Sequence, residues 1–146
     1  SHWSISRSSK LVSARRKARK RALDFLYEAD IRNGNAIDLL GTRGESDLSQ
    51  SDYVMELLVG VSNNKEKIDE LITTYAQGWD MDRMPAIDRN ILRIALFEIL
   101  FKNDLDDQVA ASEAVEIASE LSTEDSAKYI NGVLGRIIVL KPSFAL

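Results

Sequence analysis

Apolar residues recur along this chain at intervals of three and four almost from end to end, and nowhere do they alternate strictly with polar ones over a strand's length. The pattern predicts an all-α fold. Over residues 10–32, Leu11, Ala14, Ala18, Ala22, Phe25, Leu26 and Ala29 fall within about a third of the circumference at ~100° per residue, the buried stripe of a first helix. Asn33-Gly34-Asn35 ends it, a short apolar piece runs from Ala36 to Leu40, and Gly41 to Asp47 reads as polar loop.

Tyr53, Val54, Leu57, Leu58 and Val61 mark a further helix, ended by Ser62-Asn63-Asn64. The next carries Ile68, Leu71, Ile72, Tyr75 and Ala76 on one face and stops near Gly78. Pro85 suits the first turn of the helix after it. That helix, Ile87 to Lys102, is apolar nearly all round, which predicts a central element packed on several sides. Asp106 or Asp107 caps a helix striped by Ala111, Ala114, Val115, Ala118 and Leu121. Ser122 and Asp125 have capping-box spacing ahead of the last helix, whose buried face is Ala127, Ile130, Val133, Leu134, Ile137 and Ile138. About seven helices then share one core in a domain over residues 13–141. Residues 1–12 read as a disordered basic tail whose Ser1-His2 start looks like a cloning remnant, and 142–146 as a short C-terminal tail.

Charge changes this picture. Residues 1–21 hold eight Lys/Arg and no acid, whereas residues 22–146 hold eleven bases and twenty-three acids, so +8 is followed by −12. At 146 residues and 45% hydrophobic content, one compact domain burying roughly two-thirds of its unfolded surface is expected. No apolar run reaches the ~18 residues of a membrane span, and no uncharged signal segment opens the chain, so the expectation is a soluble cytoplasmic protein. With no cysteine and His2 as the only histidine, thiol chemistry, His-based triads and Cys/His metal sites have no side chains to work with, and no glycine-rich phosphate loop is present. No catalytic residue, metal or cofactor is assigned.

Opposite the apolar stripe of the first helix lie Arg16, Lys20, Leu23 and Tyr27, with Arg15 and Arg19 at its edge. Cations beside an aromatic ring suit single-stranded RNA, whose phosphates meet the charges and whose bases stack on the ring. A solvated cationic face is the plainer reading of a charge run. The RNA reading is preferred because eight like charges without an acid repel one another and gain no i, i+4 pairs within the segment. A second face, on the last helix, joins Lys128, Gly132, Gly135 and Arg136, with Tyr129 and Asn131 at its margins. A mid-helix glycine costs about 1 kcal/mol against alanine, so two on one face need a reason: a ligand face, or a tight helix crossing inside the domain. Arg93, Glu98 and Glu113 are polar where packing would prefer none. A buried ion pair that fixes helix register is favoured there over acid–base catalysis.

The same segments resemble the NusB family of bacterial transcription antitermination factors. The likeness rests on Ala14-Arg15-Arg16-Lys17-Ala18-Arg19 with Leu26-Tyr27. It continues through Trp79, Asp82-Arg83-Met84, Asp88-Arg89, Ile91-Leu92-Arg93 and Glu98, then Glu113 to Ala118 and Tyr129 to Leu134. It implies two packed helical bundles and a role without catalysis: binding boxA-type single-stranded RNA with NusE, a ribosomal small-subunit protein, in an antitermination complex with RNA polymerase that supports rRNA transcription. By that analogy RNA meets Arg15, Arg16, Arg19, Tyr27, Asp125, Lys128 and Tyr129, and NusE docks at Asp88 and the preceding turn, Asp82 included. Tyr129 stands where phenylalanine is commoner and Ala111 where a larger aliphatic is usual. The alternatives are an RNA-binding module of the kind fused to RNA methyltransferases, and a homodimer that masks the RNA face. Membrane binding by the basic helix is disfavoured because its apolar stripe is needed for the core.

Overall fold

The computed structural model describes residues 2–43 and 48–146. The helices are α1 (His2–Arg32), α2 (Ala36–Arg43), α3 (Leu48–Tyr75), α4 (Ala86–Phe101), α5 (Asp107–Leu121) and α6 (Glu124–Leu140), with 3-10 turns at Met81–Arg83 and Lys141–Ser143. Among the described residues there is no strand. The chain forms two compact units, residues 1–59 and 60–146, with the boundary inside α3.

In the first unit, α1 begins at His2 rather than at residue 10, so helical backbone covers the segment that reads as a tail. Residues 2–13 contain neither glycine nor proline, and extending an existing helix fixes only one residue per added hydrogen bond. The predicted end of α1 has a clear cause. Asn33 takes a left-handed φ of 53° and Gly34 N–H donates to Ala29 O at 2.8 Å, closing the last turn. Asn35 then caps α2, its Oδ1 accepting from the N–H of Ile37 (2.8 Å) and Asp38 (3.2 Å). The helix continues through Gly41 to Arg43, where a loop is expected; the rest of that loop, 44–47, lies outside the described residues.

Ala18, Ala22, Phe25, Leu26 and Ala29 are buried as the stripe predicts. Three positions differ, Ala14 being only half-buried. Leu11 is 56% exposed, and Leu23, expected on the outer face, is fully buried. The buried arc of α1 is therefore wider than the apolar stripe and takes in Arg19 and Leu23.

α3 is one helix where the sequence predicts two. Ser62 and Asn63 sit on its exposed side, and Asn64 Nδ2 donates to Gly60 O at 2.8 Å, joining the helix instead of breaking it. Six α-helices result among the described residues, close to the expected number of about seven. In the second unit α4 is the central element, buried at Asp88 and continuously from Asn90 to Ile99, and it packs on α5 and α6. Gly60 has no side chain because one would run into the Phe97 ring, so α3 and α4 approach closely there.

Arg93 of α4 finds its partners on α3 and on its own helix. Arg93 grips Asp69 of α3 through Nε (2.8 Å) and Nη2 (3.1 Å), and its Nη1 donates to Asn90 Oδ1 at 3.0 Å. The register-fixing ion pair expected around Arg93 and Glu98 is thus built with Asp69, an acid that looks like ordinary helix surface in the sequence. Caps shift by single residues. Asp106 caps α5 by accepting from Gln108 N–H, as predicted, and Thr123 caps α6 by accepting from Ser126 N–H at 3.0 Å. Ser122 instead closes α5, donating its N–H to Ala118 O at 2.8 Å, and Pro85 is the N-cap of α4 rather than its first turn. The C-terminal tail is anchored, with Lys141 Nζ 3.0 Å from Asp107 and the Phe144 ring 5.9 Å from that of Tyr75.

Candidate nucleic-acid interface

Each unit carries part of the surface expected to meet RNA. In the first, the helical spacing of α1 places Arg16, Lys20 and Tyr27 along one side, with Tyr27 39% exposed and both cations half-buried. Arg15 is also half-buried, and its guanidinium lies 4.9 Å from the centroid of the Tyr53 ring. Arg19 is 2% exposed and lies 6.0 Å from the same ring. The sequence counts Arg19 among the RNA contacts. Its burial makes it a packed cation that orders the helix face, with an aromatic partner that compensates its desolvation. Tyr53 reads in the sequence as one more core residue, and nothing in its spacing announces this second task.

In the second unit the candidate residues lie at the start of α6. Asp125, Lys128 and Asn131 are exposed and Tyr129 is half-buried. Tyr129 is fixed from two sides: its hydroxyl donates to Gln77 O at 2.8 Å, and the Trp79 ring stands edge-on at 4.8 Å and 87°. Burial pushes the Tyr129 phenol above its ordinary pKa, so it stays a neutral hydrogen-bond donor. Beside it opens a groove of about 320 Å³ that runs past Gln77, Lys128, Gly132 and Arg136. Arg136 Nη1 lies 3.4 Å from Gln77 Oε1.

Gly132 and Gly135 are exposed, and beyond their chain neighbours and the adjoining helix backbone no described atom lies within 4 Å of where either would carry a Cβ. A tight helix crossing inside the chain is therefore not why these glycines are here. Tyr129 and Lys128, candidates in the sequence, lie together here, and beside them is Gln77, which the sequence does not single out and whose position depends on the turn that follows α3.

The acidic turn expected to receive a protein partner divides into two kinds of residue. Asp80 and Asp82 are exposed, and Arg89 Nη1 holds the turn by donating to Met81 O (2.6 Å) and Met84 O (3.3 Å). Asp88 is fully buried: its Oδ2 accepts from Ser126 Oγ at 2.7 Å and its Oδ1 has no hydrogen-bond partner. Asp88 is therefore a structural tie between α4 and α6 and offers no surface to a partner. The sequence could not separate it from Asp82, because both are acids near one helix start. No helix among the described residues is long and apolar enough to cross a membrane.

The NusB family model matches residues 16–139. The transcription antitermination protein NusB of Beutenbergia cavernae is 49% identical over 144 residues, covering 90% of this chain and 93% of that protein. Among solved structures, T. maritima NusB superposes with a TM-score of 0.78 at 32% identity, over 86% of this chain and 90% of that one. A chain from a crystal structure of the antitermination factors NusB and NusE with double-stranded RNA shares the fold, with a TM-score of 0.77 at 24% identity over 87% of this chain and 97% of that one.

Proposed function

Because the chain belongs to the NusB family, we propose that it is a transcription antitermination factor that binds boxA-type single-stranded RNA together with NusE, in a complex with RNA polymerase that supports rRNA transcription. The observation that carries this reading is the cationic side of α1, where Arg15 and Arg19 lie over Tyr53 while Arg16, Lys20 and Tyr27 line the outer side. Phosphates meet Arg15, Arg16 and Lys20, and Tyr27 offers a base its ring. On the second unit Asp125, Lys128, Tyr129 and Asn131 are the residues expected to meet RNA. The acidic remainder of the chain disfavours RNA elsewhere and suits a basic ribosomal protein. NusE is the partner in the solved NusB complex of the same fold, and Asp80 and Asp82 are the acids exposed to receive it here. The relatives are named for antitermination and not for a reaction, in keeping with a binding protein.

The test is a titration of labelled boxA-like RNA with and without saturating NusE. Tighter binding in its presence, by a coupling of about 1–3 kcal/mol, is expected, and linkage requires the same coupling when NusE is titrated with and without RNA. Asp82→Lys should weaken NusE and leave RNA binding by the isolated protein intact. Equal affinities, or competition between the two ligands, overturn the coupled assembly.

A further inference from the structure

We infer that the buried pair Asp88 and Ser126 is the link through which NusE at the acidic turn tightens RNA binding at the start of α6. The inference rests on the coupled RNA–NusE assembly proposed above and assigns its coupling to two buried positioning residues.

Two adjacent residues in the first turn of α4 reach different elements. Arg89 donates from Nη1 to Met81 O (2.6 Å) and Met84 O (3.3 Å), so it fastens the turn that carries Asp80 and Asp82. Asp88 reaches α6, where its Oδ2 accepts from Ser126 Oγ at 2.7 Å. A displacement or ordering of the acidic turn is thus passed to the first turn of α4, and from there to α6.

The far end of this link is a helix cap. Thr123 Oγ1 accepts from Ser126 N–H at 3.0 Å and donates to Ser126 Oγ at 3.0 Å. Ser126 is therefore both the residue that Thr123 caps and the one that Asp88 holds. The first N–H groups of a helix have no partner within it, so the order of that turn depends on such side chains. Asp125 precedes Ser126, and Lys128 and Tyr129 follow it within one turn, so their placement depends on the same bonds.

Burial separates a link from mere packing. Asp88 is fully buried, yet its Oδ1 has no hydrogen-bond partner, so one bond alone ties the carboxylate to α6. An acceptor left without a donor inside a fold is costly, and for packing alone an apolar side chain would serve better. The sign of the coupling also follows. RNA must order the start of α6, and a partner that has already stilled the turn, α4 and the cap leaves less to order.

Ser126→Ala removes one buried hydroxyl and leaves both binding surfaces in place. RNA alone and NusE alone should bind it as they bind the parent, while the tightening of RNA by saturating NusE, about 5- to 150-fold in a coupled system, should disappear. Ser126→Thr keeps the hydroxyl and should restore the coupling. A residue that only stabilises the fold would lower every affinity through the folded fraction and leave their ratio unchanged. Hydrogen exchange gives a readout that needs no variant: NusE without RNA should slow exchange of the Ser126 N–H and of the α6 amides after it in the parent protein.

If Ser126→Ala keeps the parent's coupling, or if NusE leaves exchange at the start of α6 unchanged, the link is overturned and the coupled assembly stands. If the parent binds RNA and NusE independently, the coupled assembly falls and the link falls with it. If the parent binds no RNA with or without NusE, the RNA-binding reading itself is overturned.

Discussion

Both units set a tyrosine beside two cations, and they do so in opposite senses. In the first, Tyr53 is buried at 9% exposure, and the guanidinium groups of Arg15 and Arg19 lie over its face. In the second, Tyr129 is held by its hydroxyl and by an aromatic edge, with Lys128 and Arg136 exposed at the margin of an open groove. The first arrangement spends part of its charge inside the fold, which orders the helix that presents Arg16, Lys20 and Tyr27. The second keeps its charge at the surface. A count of lysines and arginines cannot tell these apart, because the distinction lies in which cations have a ring over them and which face a space.

The sharpest way to break this comparison is to remove each ring. Tyr53→Ala should cost about 3–5 kcal/mol of stability, as large-to-small changes at buried aromatics do, with the cations that pack on it losing their partner. Tyr129→Ala should cost far less, because the residue is half-buried, and should act on RNA affinity instead. Urea unfolding with equal m values for both variants measures the difference. Similar losses for the two would mean that Tyr129 is also scaffold.

The arginines sharpen it further. Arg19→Ala should lose about 2 kcal/mol, the value of a desolvated cation–π contact together with the packing of the stem. Arg16→Ala should stay within about 0.5 kcal/mol of the parent. In RNA binding the order reverses at the level of salt dependence. Arg16→Ala removes about 0.7 from the slope of log affinity against log salt, whereas Arg19→Ala leaves the slope unchanged in the folded fraction. An Arg19→Ala protein of parental stability with a reduced slope would return Arg19 to the RNA face.

What the sequence made legible follows from how local each cause is. The all-round apolar run of α4, the Asn33-Gly34-Asn35 stop and the Asp106 cap are decided within a few residues, and each is where the pattern places it. The break expected at Ser62-Asn63-Asn64 fails because packing on both sides of those residues keeps α3 helical and overrides weak local preference. Asp69, Gln77 and Tyr53 were not legible as partners of Arg93, Tyr129 and Arg19, since each lies on a separate element and meets its partner only after folding. The burial of Asp88 has the same cause, because Ser126, its hydrogen-bond partner, lies thirty-eight residues on.

The smallest expected effect isolates the Tyr129 hydroxyl from its ring. Tyr129→Phe removes the hydrogen bond to Gln77 O and keeps the aromatic surface. The stability loss should lie near the low end of the 0.5–1.5 kcal/mol typical of such bonds, because the bond is solvent-exposed. RNA affinity should be nearly unchanged if stacking, and not the hydroxyl, is what the base uses. The pH dependence carries the sign. Burial raises the phenol's folded-state pKa above the ordinary value near 10, so its contribution is complete below that value and is lost as pH rises through the raised one. The stability gap between parent and Tyr129→Phe should therefore be constant at neutral pH and narrow only in alkali. A gap that instead closes between pH 6 and 9 would show that the hydroxyl is not held as a neutral donor, and a large loss of RNA affinity in Tyr129→Phe at pH 7 would move the base contact from the ring to its oxygen.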